Sequence, residues 1–151
     1  MTAGGAALVR AFWSAMNGND WGAVAERFLA PDFTAFWPQS AEVIEGRDAF
    51  ARINAAFPGQ GGWRFQIVSL LADSADSTAP DAVSPGNGDN IRVVTDTRIT
   101  QADHNITARV ITFHDIAGGL IRRQTEFWPD PYPVPEWRRG MLTLDPQRAR
   151  F

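Results

Sequence analysis

The hydrophobic period changes part-way along this chain, and that change limits the fold more than any other feature. Leu8, Val9, Phe12, Trp13 and Met16 recur at helical spacing and predict a helix over residues 5–17. Asn17-Gly18 ends it, and Asn19 or Asp20 can cap the next. The second helix is expected to run to about Leu29, with Trp21, Val24, Ala25, Phe28 and Leu29 on one stripe, until Pro31-Asp32 stops it. Phe33–Trp37, FTAFW, reads as a short strand, followed by a loop through PQSAEVIEG. Gly46 opens a third helix, Arg47 to about Phe57, with Phe50, Ile53 and Phe57 expected to be buried; Pro58-Gly59 terminates it.

From Trp63 the pattern is strand-like. Trp63, Phe65 and Ile67 alternate with Arg64 and Gln66 over residues 63–71, and further strands are expected at 91–101, 105–115 and 120–128. ADHN and IAGG are their hairpin turns. Residues 73–90, small, polar and rich in Gly and Pro, read as a flexible loop between two strands. Helices on one face of an antiparallel sheet make an α+β domain, and 151 residues suit a single one.

The last strand runs into Pro129-Asp130-Pro131-Tyr132-Pro133-Val134-Pro135. Proline has no N–H and pushes its predecessor to extended backbone. Amides two apart point the same way in an extended chain, so this edge cannot accept another strand. Residues 129–140 therefore read as a strap over the body, anchored by Trp128, Tyr132 and Trp137.

Composition excludes several chemistries. There is no cysteine, so disulfides, thiol catalysis and thiolate metal sites are out. All fourteen basic residues are arginine, which removes a lysine Schiff base and a phosphate-loop lysine. A formal net charge of −3 argues against nucleic-acid binding. No apolar run is long enough for a membrane span and no secretory leader is visible, so a cytoplasmic protein is expected. Six tryptophans and ten phenylalanines can fill a core or line a ligand cavity.

FWPQSAEVIEGRDAF, NAAFPG and IRRQTEFWPDPYPVPEW, together with the element order, resemble the NTF2-like superfamily and its SnoaL-like (polyketide cyclase-like) branch of small bacterial proteins. The resemblance spans roughly residues 5–140. It implies a cone-shaped α+β barrel, with three N-terminal helices on a strongly curved, mainly antiparallel sheet. It also implies a pocket at the open end, and commonly a homodimer. It does not imply one reaction, since the superfamily holds isomerases, cyclases, dehydratases, epoxide hydrolases and binding modules.

Glu126 is the first catalytic candidate. In Glu126-Phe127-Trp128 it resembles the carboxylate that does acid–base work in epoxide-hydrolase relatives. Among aromatics its pKa would rise toward neutrality, whereas an ion pair with Arg109 or Arg122 would make it structural. Asp96 is a second candidate; with Arg98 it shares a strand face opposite Ile91, Val93, Thr95, Thr97 and Ile99, which is the more apolar face and the better pocket wall. Both faces of the last three strands are mixed, so parity leaves the pocket face open. Trp13, Trp37, Gln39, Asn54, Thr95 and Trp128 are the ligand-binding candidates. A neutral amide among aromatics can orient a carbonyl or hydroxyl. His104 falls in a turn and His114 at a strand end, so each reads as structural or exposed, and no metal site or cofactor is expected. The expected ligand is a small apolar or weakly polar molecule. The competing class is a non-catalytic binding or dimerisation module.

Overall fold

The computed structural model describes residues 4–58, 62–72, 90–101 and 106–149. Three helices, α1 (Gly5–Met16), α2 (Trp21–Phe28) and α3 (Arg47–Ala56), are threaded among six strands: β1 (Leu29–Trp37), β2 (Glu42–Glu45), β3 (Trp63–Ala72), β4 (Ile91–Gln101), β5 (Ile106–Ala117) and β6 (Leu120–Phe127). The strands form one mixed sheet in the order β2-β1-β6-β5-β4-β3. All pairs are antiparallel except β1 with β6. The architecture is the expected α+β one, as an open sheet with β2 and β3 at its edges.

The helical stripes fall on one side of the sheet. Val9, Phe12, Trp13 and Met16 of α1 are buried with Val24, Ala25 and Phe28 of α2 against Val93, Ile99, Val110, Ile116 and Ile121. Aromatic rings meet edge-on at the centre: Phe12 lies 5.1 Å from Trp13 and 6.1 Å from Phe28 between ring centroids. Helix α3 is thinner than its pattern suggested. Only Phe50 is buried, while Ile53 and Phe57 are 41% and 49% exposed. The helix lies over the sheet's margin, where a second turn of apolar side chains finds nothing to cover it; Phe57 instead meets Trp63 edge-on at 5.0 Å.

Two local devices shape the sheet. Gly118 and Gly119 both take positive φ, 61° and 76°, as a two-residue hairpin turn demands, and join β5 to β6 where IAGG predicted a turn. The Asn17-Gly18-Asn19 stop pairs with edge strand β3 as a strand would. Asn17 accepts from the Phe65 N–H (2.8 Å) and donates to the Phe65 carbonyl (3.2 Å). Asn19 does the same for Trp63, both at 3.0 Å. Part of the β3 edge is thus closed to other strands.

Strand β1 begins at Leu29, four residues before the expected start, because Leu29 pairs with Ile121; Pro31 is absorbed in a register shift between Leu29 and Thr34. The PQSAEVIEG stretch holds a short strand, β2, that sequence reading took for loop. After Phe127 the chain has no regular structure until a 3-10 helix at Glu136–Met141. Trp128 is half-buried and packs on the core, but Tyr132 and Trp137 are both 72% exposed and do not anchor this segment on its own chain. The loop expected at 73–90 lies outside the described residues except for Asn90, as do the ADHN turn and His104.

Candidate functional site

Alternation from Ile121, which is buried, would send Arg123 and Thr125 inward and Glu126 to the outside. The structure does the reverse. Between Asp115↔Arg123 and Ile116↔Ile121 the register slips by one residue, so Arg122 is extra on β6 and both Arg122 and Arg123 face solvent. One inserted residue moves every later side chain to the other face. Gln124, Glu126 and Trp128 consequently point to the helix-covered side, and the first two are buried.

Glu126 is 7% exposed. Its Oε2 accepts the Trp37 indole N–H at 2.7 Å, and its Oε1 accepts the Thr112 hydroxyl at 3.3 Å from the facing position on β5. The arginines that could have neutralised it are engaged elsewhere: Arg109 grips Asp96 and Arg122 pairs with Asp32. Among the described residues no cation lies within ion-pair distance of Glu126. Burial raises its pKa above the ordinary carboxylate value, and the donors Trp37, Thr112 and Trp128 only partly offset that. The Trp128 indole favours the charged form from close by, but its Nε1 makes no hydrogen bond of normal geometry. The two indoles meet edge-on, 6.2 Å between centroids and 77° between planes.

A second polar chain lies one row deeper. Trp13 Nε1 donates to Thr95 Oγ1 at 3.1 Å, Thr95 Oγ1 lies 3.0 Å from His114 Nε2, and His114 Nδ1 lies 3.0 Å from the Gln124 amide. Thr95 and His114 are fully buried. Burial alone lowers the His114 pKa to about 3, so the ring is neutral at ordinary pH. His114 is not at the end of its strand as expected, because β5 runs on to Ala117, and its ring stacks edge-on to Phe12 and Trp13. The signal in the sequence was parity: Val110, Thr112, His114 and Ile116 alternate in step. Thr97 Oγ1, on the same face, is buried with no hydrogen-bond partner among the described residues.

The structure gathers some sequence candidates and disperses others. Glu126, Trp37 and Trp128 meet directly, while Thr95 and Trp13 belong to the deeper chain. Trp13 is 3% exposed and packs within the core. Asp96 lies on the opposite sheet face, held by Arg109 through both oxygens, Nε–Oδ1 and Nη2–Oδ2 each at 2.5 Å. Gln39 sits exposed in the turn after β1. Asn54 turns its amide back on its own helix, donating to the Phe50 carbonyl at 2.9 Å. Gln124, Thr112 and His114 are the site's neighbours that sequence reading did not select.

Residues 9–124 match the model of the SnoaL-like domain. No curated protein matches the chain. Among solved structures, a candidate ketosteroid isomerase from Kribbella flavida DSM 17836 is 28% identical, with a TM-score of 0.71 over 93% of this chain and 89% of its own. An NTF-2 like protein of unknown function from Burkholderia xenovorans LB400 is 20% identical, TM-score 0.55, over 91% and 92%. An LEH-like epoxide hydrolase of M. tuberculosis is 14% identical, TM-score 0.56, over 82% and 81%, a likeness of fold alone.

Proposed function

This chain belongs to the SnoaL-like family, and from that premise we propose that it is a small-molecule enzyme in which Glu126 moves a proton without a cofactor. The substrate is modest in size and mostly apolar, and the reaction class is isomerisation, cyclisation, dehydration or epoxide opening. The observation that supports this reading is the state of Glu126. It is a buried carboxyl held by two neutral donors, with no arginine on it. A structural glutamate in an arginine-rich chain would be expected to take a cation. A carboxyl whose pKa is raised by burial instead holds its proton to higher pH than a free one and can give it up or take it back in a reaction.

The test is turnover of enolisable ketones and of epoxides by the natural chain and by Glu126→Gln. One class should be turned over, with a loss of about a hundredfold or more in the variant. Equal activity of the two proteins would sink the assignment.

The same reading includes a homodimer in the bacterial cytoplasm. The outer sheet face carries Phe36 and Phe127, 39% and 42% exposed. Phe113 stands edge-on to Phe127, 6.1 Å between centroids. An aromatic patch of that kind is what a second copy would cover.

A further inference from the structure

Gln124 is placed with its amide nitrogen toward His114, which leaves its Oε1 buried and without a partner among the described residues. Oxygen and nitrogen of an amide are told apart by their hydrogen bonds. The bonds here can be counted from the far end. Thr95 Oγ1 already accepts the Trp13 N–H, and it has one proton of its own to give. Its one acceptor among the described residues is His114 Nε2. A neutral imidazole that accepts at Nε2 carries its proton on Nδ1. That N–H faces the Gln124 amide and needs an oxygen there.

The amide therefore turns Oε1 to His114 and its NH2 the other way. This arrangement leaves only the two amide N–H groups unsatisfied. The reverse one strands the Thr95 hydroxyl proton, the Gln124 oxygen and one amide N–H together. Gln124 stands two residues before Glu126 on the same face of β6, and Trp128 two residues after it, with its own buried indole N–H also lacking a partner. The neighbour of Gln124 on β1 is Ala35, whose side chain has no polar group to satisfy the amide.

We infer that Gln124 presents its amide NH2 beside Glu126 as the donor for a ligand oxygen, and that Trp13, Thr95 and His114 position it. With Trp128 it flanks the carboxyl by N–H donors and no cation. The matching ligand is a neutral, mostly apolar molecule that carries a carbonyl group. The inference rests on the site being at Glu126, and it narrows the substrate class to ketones and their like.

Nitrogen-15 chemical shifts of the His114 ring in the labelled full chain at pH 7 test the positioning part. A protonated Nδ1 with a bare Nε2 is expected; the opposite tautomer would overturn it. The ligand part is read with 2-decalone against decalin. Decalone, and not the hydrocarbon, should shift the Gln124 side-chain NH2 signals, and Gln124→Leu should weaken decalone binding about tenfold. Gln124→Met, unbranched and close in length, gives the same comparison if leucine unfolds the chain. No decalone binding, or binding indifferent to both variants, would overturn the ligand class. The tautomer does not depend on proton transfer. A catalytically silent Glu126 beside an Nδ1–H ring and Gln124-dependent binding would end the enzyme reading and leave this one standing.

Discussion

The indole of Trp37 donates to the Glu126 carboxylate over 2.7 Å, joining residues 89 positions apart in the chain. Strand β1 lies parallel to β6, with Phe36 opposite Thr125, so the residue that follows on each strand arrives at the same end of the sheet. A neutral donor at that spot leaves the proton on Glu126 negotiable, where an arginine would fix its charge.

Glu126→Gln tests whether the charge is held at a cost. Because burial raises its pKa, the folded chain keeps a proton that the unfolded chain releases above the usual 4.5. This contribution to stability is lost as pH rises from 4.5 through the folded-state pKa. The variant should melt at the same temperature as the natural chain or higher at pH 7.5. A fall on the order of 10 °C, the effect of breaking a buried ion pair worth roughly 3–5 kcal/mol, would contradict the unpaired state.

Trp37→Phe keeps the ring and deletes the donor. The carboxylate then loses the first of the bonds that favour its charged form, so its pKa should climb further. Carbon-13 titration of the Glu126 carboxyl reads this directly, and the acid limb of any kcat/KM profile should move to higher pH. An unmoved titration would show that the bond has no electrostatic effect.

His114 should dominate acid sensitivity. The unfolded ring takes a proton near 6.5, while the folded ring resists until about 3. Stability therefore falls as pH drops through that window, by on the order of 4 kcal/mol at its lower end. His114→Gln, uncharged at all pH, should start less stable and show a flatter melting curve against pH between 6.5 and 3. A parallel curve would assign the acid sensitivity to other groups.

Asp96→Asn should cost little. The Asp96–Arg109 pair is bidentate but about a quarter exposed on both sides. Such a pair contributes about 1 kcal/mol or less. Thermal unfolding should shift by only a few degrees, and turnover should stay within about twofold. A hundredfold loss would mean that the outer face takes part in the chemistry.

Phe127→Glu places a charge in the outer aromatic patch. The natural chain should sediment as a dimer and the variant as a monomer, with the melting temperature of the dimer rising with protein concentration. A natural chain that sediments as a monomer would remove the dimer from the reading.

Much of the scaffold was legible in the residues. The strand at 91–101 has the expected bounds, and each helix ends within one residue of its expected end, because helix periodicity and β alternation are local properties. The errors share one cause. Leu29 has the spacing of the helical stripe but pairs with Ile121 in the sheet, and Ile53 and Phe57 have the spacing of core yet stay 41% and 49% exposed, Phe57 meeting the edge-strand ring of Trp63. Burial depends on what arrives from elsewhere in the chain. Aromatic neighbours mark Glu126 in the sequence, whereas parity puts His114 on one face with Val110 and Ile116 without telling whether that face is covered, and the register slip removes even that signal for Gln124.

The sequence by itself determined the alphabet of the site: arginine as its only strong cation, no thiol, many indoles, and the order of elements that makes an α+β fold. It also held Glu126 ready beside Phe127 and Trp128. Only the tertiary structure decided which way that glutamate faces. The slip at Arg122, set by pairing with β5, turns Glu126 inward, where the Trp37 indole meets it from 89 residues away. Register between strands is a cooperative choice of many side chains at once, so no single stretch of the chain could announce it.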